Sequence, residues 1–194
     1  MAGTLFCLFA LAALQASQCS GASPPYPELQ NPALGKYQDT SKCLPLKETW
    51  YSLYRNFEND PAFGGMAKCV RFTSVGPGED RSFPMVVQYG NTSTDILTSI
   101  SSFEGWNAYN ILHFQPAGQN VSLLVYVGYS GCKECALFRN TYIDDHACTL
   151  VVPESALRKD IMCCHFVFDL LCGTTPKYYT YDKSCPKGGV NSQA

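Results

Sequence analysis

Asp160-Ile161-Met162-Cys163-Cys164-His165-Phe166-Val167-Phe168-Asp169-Leu170-Leu171-Cys172 is the main helical stretch in a chain that otherwise reads as β, and it carries two adjacent cysteines. Ile161, Cys164, Phe168 and Leu171 fall on one stripe at helical spacing, so one face of this helix is expected to pack against a wall. Gly173 is a suitable stop. Neighbouring cysteines bridge each other only with severe strain, because a disulfide needs well-separated Cα atoms. Cys163 and Cys164 are therefore expected to reach two different distant partners. Cys43, Cys69, Cys132, Cys135, Cys148, Cys172 and Cys185 are the other cysteines beyond the N-terminal segment. The pattern describes a fold laced around its helix in an oxidising compartment.

The N-terminus agrees with that compartment. Residues 1–27 hold no charged side chain, and Leu5–Leu14 (LFCLFALAAL) is an apolar run of signal-peptide length. It is too short to span a bilayer, and small residues suited to cleavage follow it. The expected organisation is a signal peptide over 1–21, an extended proline-rich lead-in over 22–36, one domain over 37–186 and a polar tail over 187–194. The mature chain is expected to be secreted, extracellular and monomeric. Formal net charge is −2, which offers no basic footprint for nucleic acid or an anionic membrane. Charged residues make up 15% and aromatics 13%. A chain so poor in charge and rich in rings has much to bury, in its core or around a ligand.

Outward from the helix the pattern is strands. Thr49–Phe57, Ala67–Val75, Ser82–Tyr89, Ile96–Phe103, Trp106–Phe114, Val121–Tyr129, Cys135–Tyr142 and Cys148–Val152 are each bounded by Gly, Pro, Asn or Asp. Lys177–Tyr181 reads as a last strand. Short strands at this spacing make a sandwich or a barrel. With one late helix they point to a mainly β, lipocalin-like, eight-stranded antiparallel barrel, with the C-terminal helix packed outside and disulfides holding it.

Several segments together carry a family likeness. Tyr54-Arg55-Asn56-Phe57-Glu58-Asn59-Asp60-Pro61 followed by Phe63-Gly64 resembles the first-strand motif of tick salivary lipocalins, the histamine-binding-protein family. Lys68-Cys69-Val70, Cys135-Ala136-Leu137-Phe138-Arg139 and Ala147-Cys148-Thr149-Leu150 resemble its later cysteine-bearing strands. Phe168-Asp169-Leu170-Leu171-Cys172-Gly173 and Tyr181-Asp182-Lys183-Ser184-Cys185 resemble its C-terminal segment. The resemblance runs from about Tyr37 to Cys185. It implies a barrel in tick saliva that sequesters a small host mediator and so serves host immune evasion. It also implies the bridges Cys43–Cys163, Cys69–Cys185 and Cys135–Cys164. Cys148 and Cys172 are left as a fourth pair, with Cys132 as the odd thiol.

The same resemblance places the ligand. A protonated amine taken out of water needs a carboxylate, and aromatic faces add cation–π attraction. Asp60 matches one acid of the family's amine binders, with Phe57, Phe63 and Phe114 as neighbouring aromatics. Two further acids are replaced, by Ala136 after the seventh-strand cysteine and by Thr149 after Cys148. The leading expectation is a biogenic amine, histamine or serotonin. If Asp60 is only a turn residue before Pro61, the cavity is neutral and suits an eicosanoid or fatty acid, with Arg55 or Arg71 as anchor. A third reading is a surface-loop inhibitor of a host protein such as a complement component.

Catalysis, a cofactor and a metal are not expected. Gly-x-Ser-x-Gly, a P-loop and a dinucleotide fingerprint are missing. Cys132-Lys133-Glu134-Cys135 is a CxxC without the βαβ context of a redox motif. His113, His146 and His165 lack metal-ligand spacing, and Asp144-Asp145-His146 reads as a turn. Asn91-Thr92-Ser93 and Asn120-Val121-Ser122 are glycosylation sequons at strand boundaries.

Overall fold

The computed structural model describes residues 29–188; the expected signal peptide, the start of the lead-in and the end of the tail lie outside them. The strands are β1 (Trp50–Arg55), β2 (Arg71–Ser74), β3 (Ser82–Tyr89), β4 (Thr92–Ser101), β5 (Ile111–Pro116), β6 (Leu123–Gly131), β7 (Cys135–Asn140) and β8 (Cys148–Pro153). Helix α1 (Met162–Cys172) and a short β9 (Tyr178–Tyr179) follow. Consecutive strands from β2 to β8 pair antiparallel, β8 pairs β1, and β1 returns to β2 through Trp50↔Phe72 and Tyr51↔Arg71, closing the barrel. β9 takes the free edge of β1 through Tyr54↔Tyr179. The architecture is the lipocalin-like barrel with an external helix.

Alternation sorts the side chains into two cores. Along β7, Ala136 and Phe138 face the interior, while Cys135 and Leu137 join the cluster under α1. Both faces of β8 are buried, which is why it is a continuous apolar run. Cys164, Phe168 and Cys172 are the buried residues of α1. Gly173, at φ +78, ends the helix in the left-handed region that glycine tolerates. Between β3 and β4 the chain reverses at Gly90-Asn91, with Gly90 at φ +52.

Several expected segments move. β2 begins at Arg71 because Cys69 stands at φ +61 and gives its N–H to the Thr180 carbonyl instead of the ladder. β5 begins at Ile111, since residues 103–106 form a turn closed by the Trp106 N–H on the Phe103 carbonyl. The lead-in is not extended throughout: Pro32–Tyr37 is a 3-10 helix, capped by the Asn31 side chain on the Ala33 N–H.

The bridges are Cys43–Cys132, Cys69–Cys185, Cys135–Cys164 and Cys148–Cys172. The expected Cys43–Cys163 pair is therefore corrected: Cys132 takes Cys43, and Cys163 is a free, exposed thiol. The reason is helical geometry. Successive residues on a helix point about 100° apart. Turning Cys164 onto β7, where it is 1% exposed, necessarily turns Cys163 to solvent. The CxxC is split between two bridges, so its cysteines do not pair with each other. Each bridge closes a long loop and contributes ~3–5 kcal/mol in the chain-entropy account.

Candidate functional site

The barrel interior holds two chambers. One is apolar, with about 40 Å³ of free space, walled by Leu46, Trp50, Met85, Leu112 and Ala136. It is covered at its end by Thr40, Cys43 and Leu44, a segment tied to the barrel by the Cys43–Cys132 bridge. The other is polar, with about 20 Å³, walled by Ser52, Arg55, Asp60, Asn140, Tyr142 and Thr149. Phe72, Phe114, Phe138 and Val151 line both and form the septum between them.

Asp60 is built into the polar chamber from a loop after β1. Its backbone exchanges both hydrogen bonds with Gly65, closing the loop. Oδ1 accepts the N–H groups of Ala62 and Phe63 at 3.1 Å each. Oδ2 accepts the Tyr142 hydroxyl at 3.1 Å and faces Arg55 Nη1 at 3.5 Å. Asp60 thus caps the turn through one oxygen and lines the chamber through the other. At 4% exposure it is the one acidic side chain lining either chamber among the described residues. Burial pushes its carboxyl above the usual range, against the pull of the Phe63 N–H and the Arg55 charge.

Arg55 reaches the chamber because β1 changes register between Ser52 and Tyr54. The irregularity sends Tyr54 under α1 and Arg55 inward, reversing the plain alternation. Arg55 Nη2 donates to the carbonyls of Glu58, at 2.7 Å, and Gly65, holding the loop that carries Asp60. Burial lowers its pKa, with Asp60 opposing.

The other expected residues divide. Phe63 packs edge-on to Phe72, Phe114 and Tyr142, with ring centroids 5.7, 5.7 and 6.0 Å away. Phe114 stands in the septum. Phe57 lines neither chamber and is half-buried, with Arg55 over its ring at 5.0 Å. Ala136 and Thr149 both face the interior and bring no charge; Thr149 accepts the Asn140 amide at 2.7 Å. Arg71, the other candidate carboxylate anchor, lines neither chamber and donates to Gln88 at 2.8 Å. Sequence reasoning missed Tyr142, whose position just past β7 among polar residues was the available signal.

A comparison with curated proteins gives no match. A solved structure described as the AM182 serotonin complex is similar at 18% identity and a TM-score of 0.51, over 72% of this chain and 86% of that one, a likeness of fold. The family model for tick histamine-binding protein matches residues 28–187, nearly all of the described chain. The chain belongs to the tick histamine-binding protein family.

Proposed function

We propose that this protein is secreted and sequesters a small protonated aromatic amine of the histamine or serotonin type, with Asp60 as the ammonium's partner. The observation that carries the reading is Asp60 itself, a buried acid walled by rings. A cation entering there exchanges water for a carboxylate in a low-dielectric site. Family membership and the serotonin-bound relative of similar fold support the ligand class. The two Arg candidates argue against an eicosanoid anchor, since Arg55 Nη2 is held by the loop carbonyls of Glu58 and Gly65 and Arg71 is outside the chambers.

Binding pockets for small molecules hold about 300 Å³ or more, and the two chambers hold far less. Entry therefore shifts the septum rings, merging apolar and polar space around one ligand. The ring of the amine takes the place of the septum and its ammonium reaches Oδ2.

Secretion is supported by four disulfides, which persist in an oxidising compartment. Asn91 and Asn120 are both exposed at strand connections, where a glycan reaches solvent.

Calorimetry with histamine and serotonin tests the site. Asp60→Asn is expected to weaken amine binding by ~2–5 kcal/mol, as for removal of one member of a buried charge pair. Equal affinity in both proteins removes Asp60 from the site.

A further inference from the structure

Arg55, which lines the polar chamber, carries a donor without a partner among the described residues. Arg55 Nε–H is buried without an acceptor, although the residue is 2% exposed and its side chain lines the chamber. Its Nη2 is spent on the loop carbonyls and its Nη1 on Asp60. A buried N–H without a partner is costly, and native structures rarely keep one. The neighbouring chamber hydroxyls accept from other groups and not from Arg55 Nε. The Thr149 hydroxyl oxygen receives Asn140, and the Ser52 hydroxyl oxygen receives Thr180.

Beside this donor lies a slack acceptor. Tyr142 at 3.1 Å and Arg55 at 3.5 Å both stand farther from Asp60 Oδ2 than a charge-assisted hydrogen bond does, at about 2.7–2.9 Å. Oδ2 therefore has capacity for a closer cation. Donor and acceptor belong to residues in direct contact, so a ligand meeting both must carry its two polar atoms close together.

Resting on the amine reading above, we propose that the polar chamber recognises a two-pronged head group: an ammonium for Asp60, with an oxygen acceptor on the adjacent carbon for Arg55 Nε–H. The ligand class is a β-oxygenated aromatic amine. An amine with that oxygen satisfies the Arg55 donor, a hydrogen bond that an analogue of nearly the same shape without the oxygen does not gain.

The test is calorimetry on the wild-type protein with 2-phenylethylamine and 2-amino-1-phenylethanol, which differ by one hydroxyl, alongside histamine and serotonin. The hydroxylated amine is expected to bind at least about tenfold more tightly than its parent. Arg55→Lys, checked for folding by near-ultraviolet circular dichroism, should bring that ratio close to one. Because Arg55 also holds the loop, the wild-type ligand pair decides the matter if the variant does not fold. Equal affinity of the two phenyl amines, or binding of histamine or serotonin with neither of them, overturns the head-group proposal and leaves the amine reading standing. Binding of none of the four overturns both.

Discussion

The wall beneath α1 and the interior of the barrel are made from opposite faces of the same strands, and they are packed to different ends. Under α1, Tyr54, Leu150, Val152 and Phe168 are each 0% exposed. Two bridges rivet the helix there, Cys135–Cys164 to β7 and Cys148–Cys172 to β8. Tyr54 meets Phe168 edge-on at 4.8 Å and shares a 2.8 Å hydrogen bond with His165 Nδ1. Inside the barrel the rings leave two chambers and a buried ion pair with a spare donor. Close packing maximises dispersion and burial, whereas a ligand site forgoes some of both. Two of the four bridges hold the helix against the wall, while both chambers and the unsatisfied donor belong to the interior.

The largest effect that would break this comparison is on stability. Phe168→Ala removes a fully buried ring from the outer core and is expected to cost about 3–5 kcal/mol by chemical denaturation. Amine affinity in the folded fraction should be unchanged. A loss of affinity matching the loss of stability would show that the two cores are one.

A smaller effect sharpens the interior half. The amine needs an ionised Asp60, and burial raises that group's pKa. Affinity should hold at neutral pH and fall as pH drops through the raised value, starting above the ordinary carboxylate value of about 3.9. Each further unit of pH then costs up to about tenfold in affinity, because binding requires loss of one proton. Titration of wild type against Asp60→Asn between pH 4 and 8 reads this directly; the variant should show no such acid limb.

The smallest expected effect concerns the helix surface. Cys163 is exposed and unbridged, so Cys163→Ser should change stability by no more than about 0.5 kcal/mol. A thiol reagent should titrate Cys163 as the one reactive group among the described residues, and non-reducing peptide mapping should recover Cys43 joined to Cys132. Recovery of Cys43 joined to Cys163 would reverse the bridge assignment.

Much of the frame was legible in the sequence, because turn residues and period-two alternation act locally. The reversal at Gly90-Asn91 and the helix stop at Gly173 are examples. The bridge from Cys43 was not legible, since it depends on which of two adjacent helix residues rotates toward the wall. The orientation of Arg55 was hidden for a similar reason. One irregularity between Ser52 and Tyr54 decides which face it joins, and no residue type marks such a shift. Asp60 stood out in its motif, yet its two roles are carried by different oxygens, a distinction that only three-dimensional contacts supply. The family resemblance set Phe57 beside Phe63, but its ring packs against Arg55 and lines neither chamber.

The central claim is that the ligand's ammonium pairs with Asp60 inside the barrel. A crystal structure of the protein with serotonin or histamine bound tests it most directly. The account predicts the amine nitrogen within about 2.7–3.2 Å of Oδ2, the ligand ring between Phe72, Phe114 and Phe138, and the septum moved from its present position. An amine lodged elsewhere, with Oδ2 still held only by Tyr142 and Arg55, would contradict it.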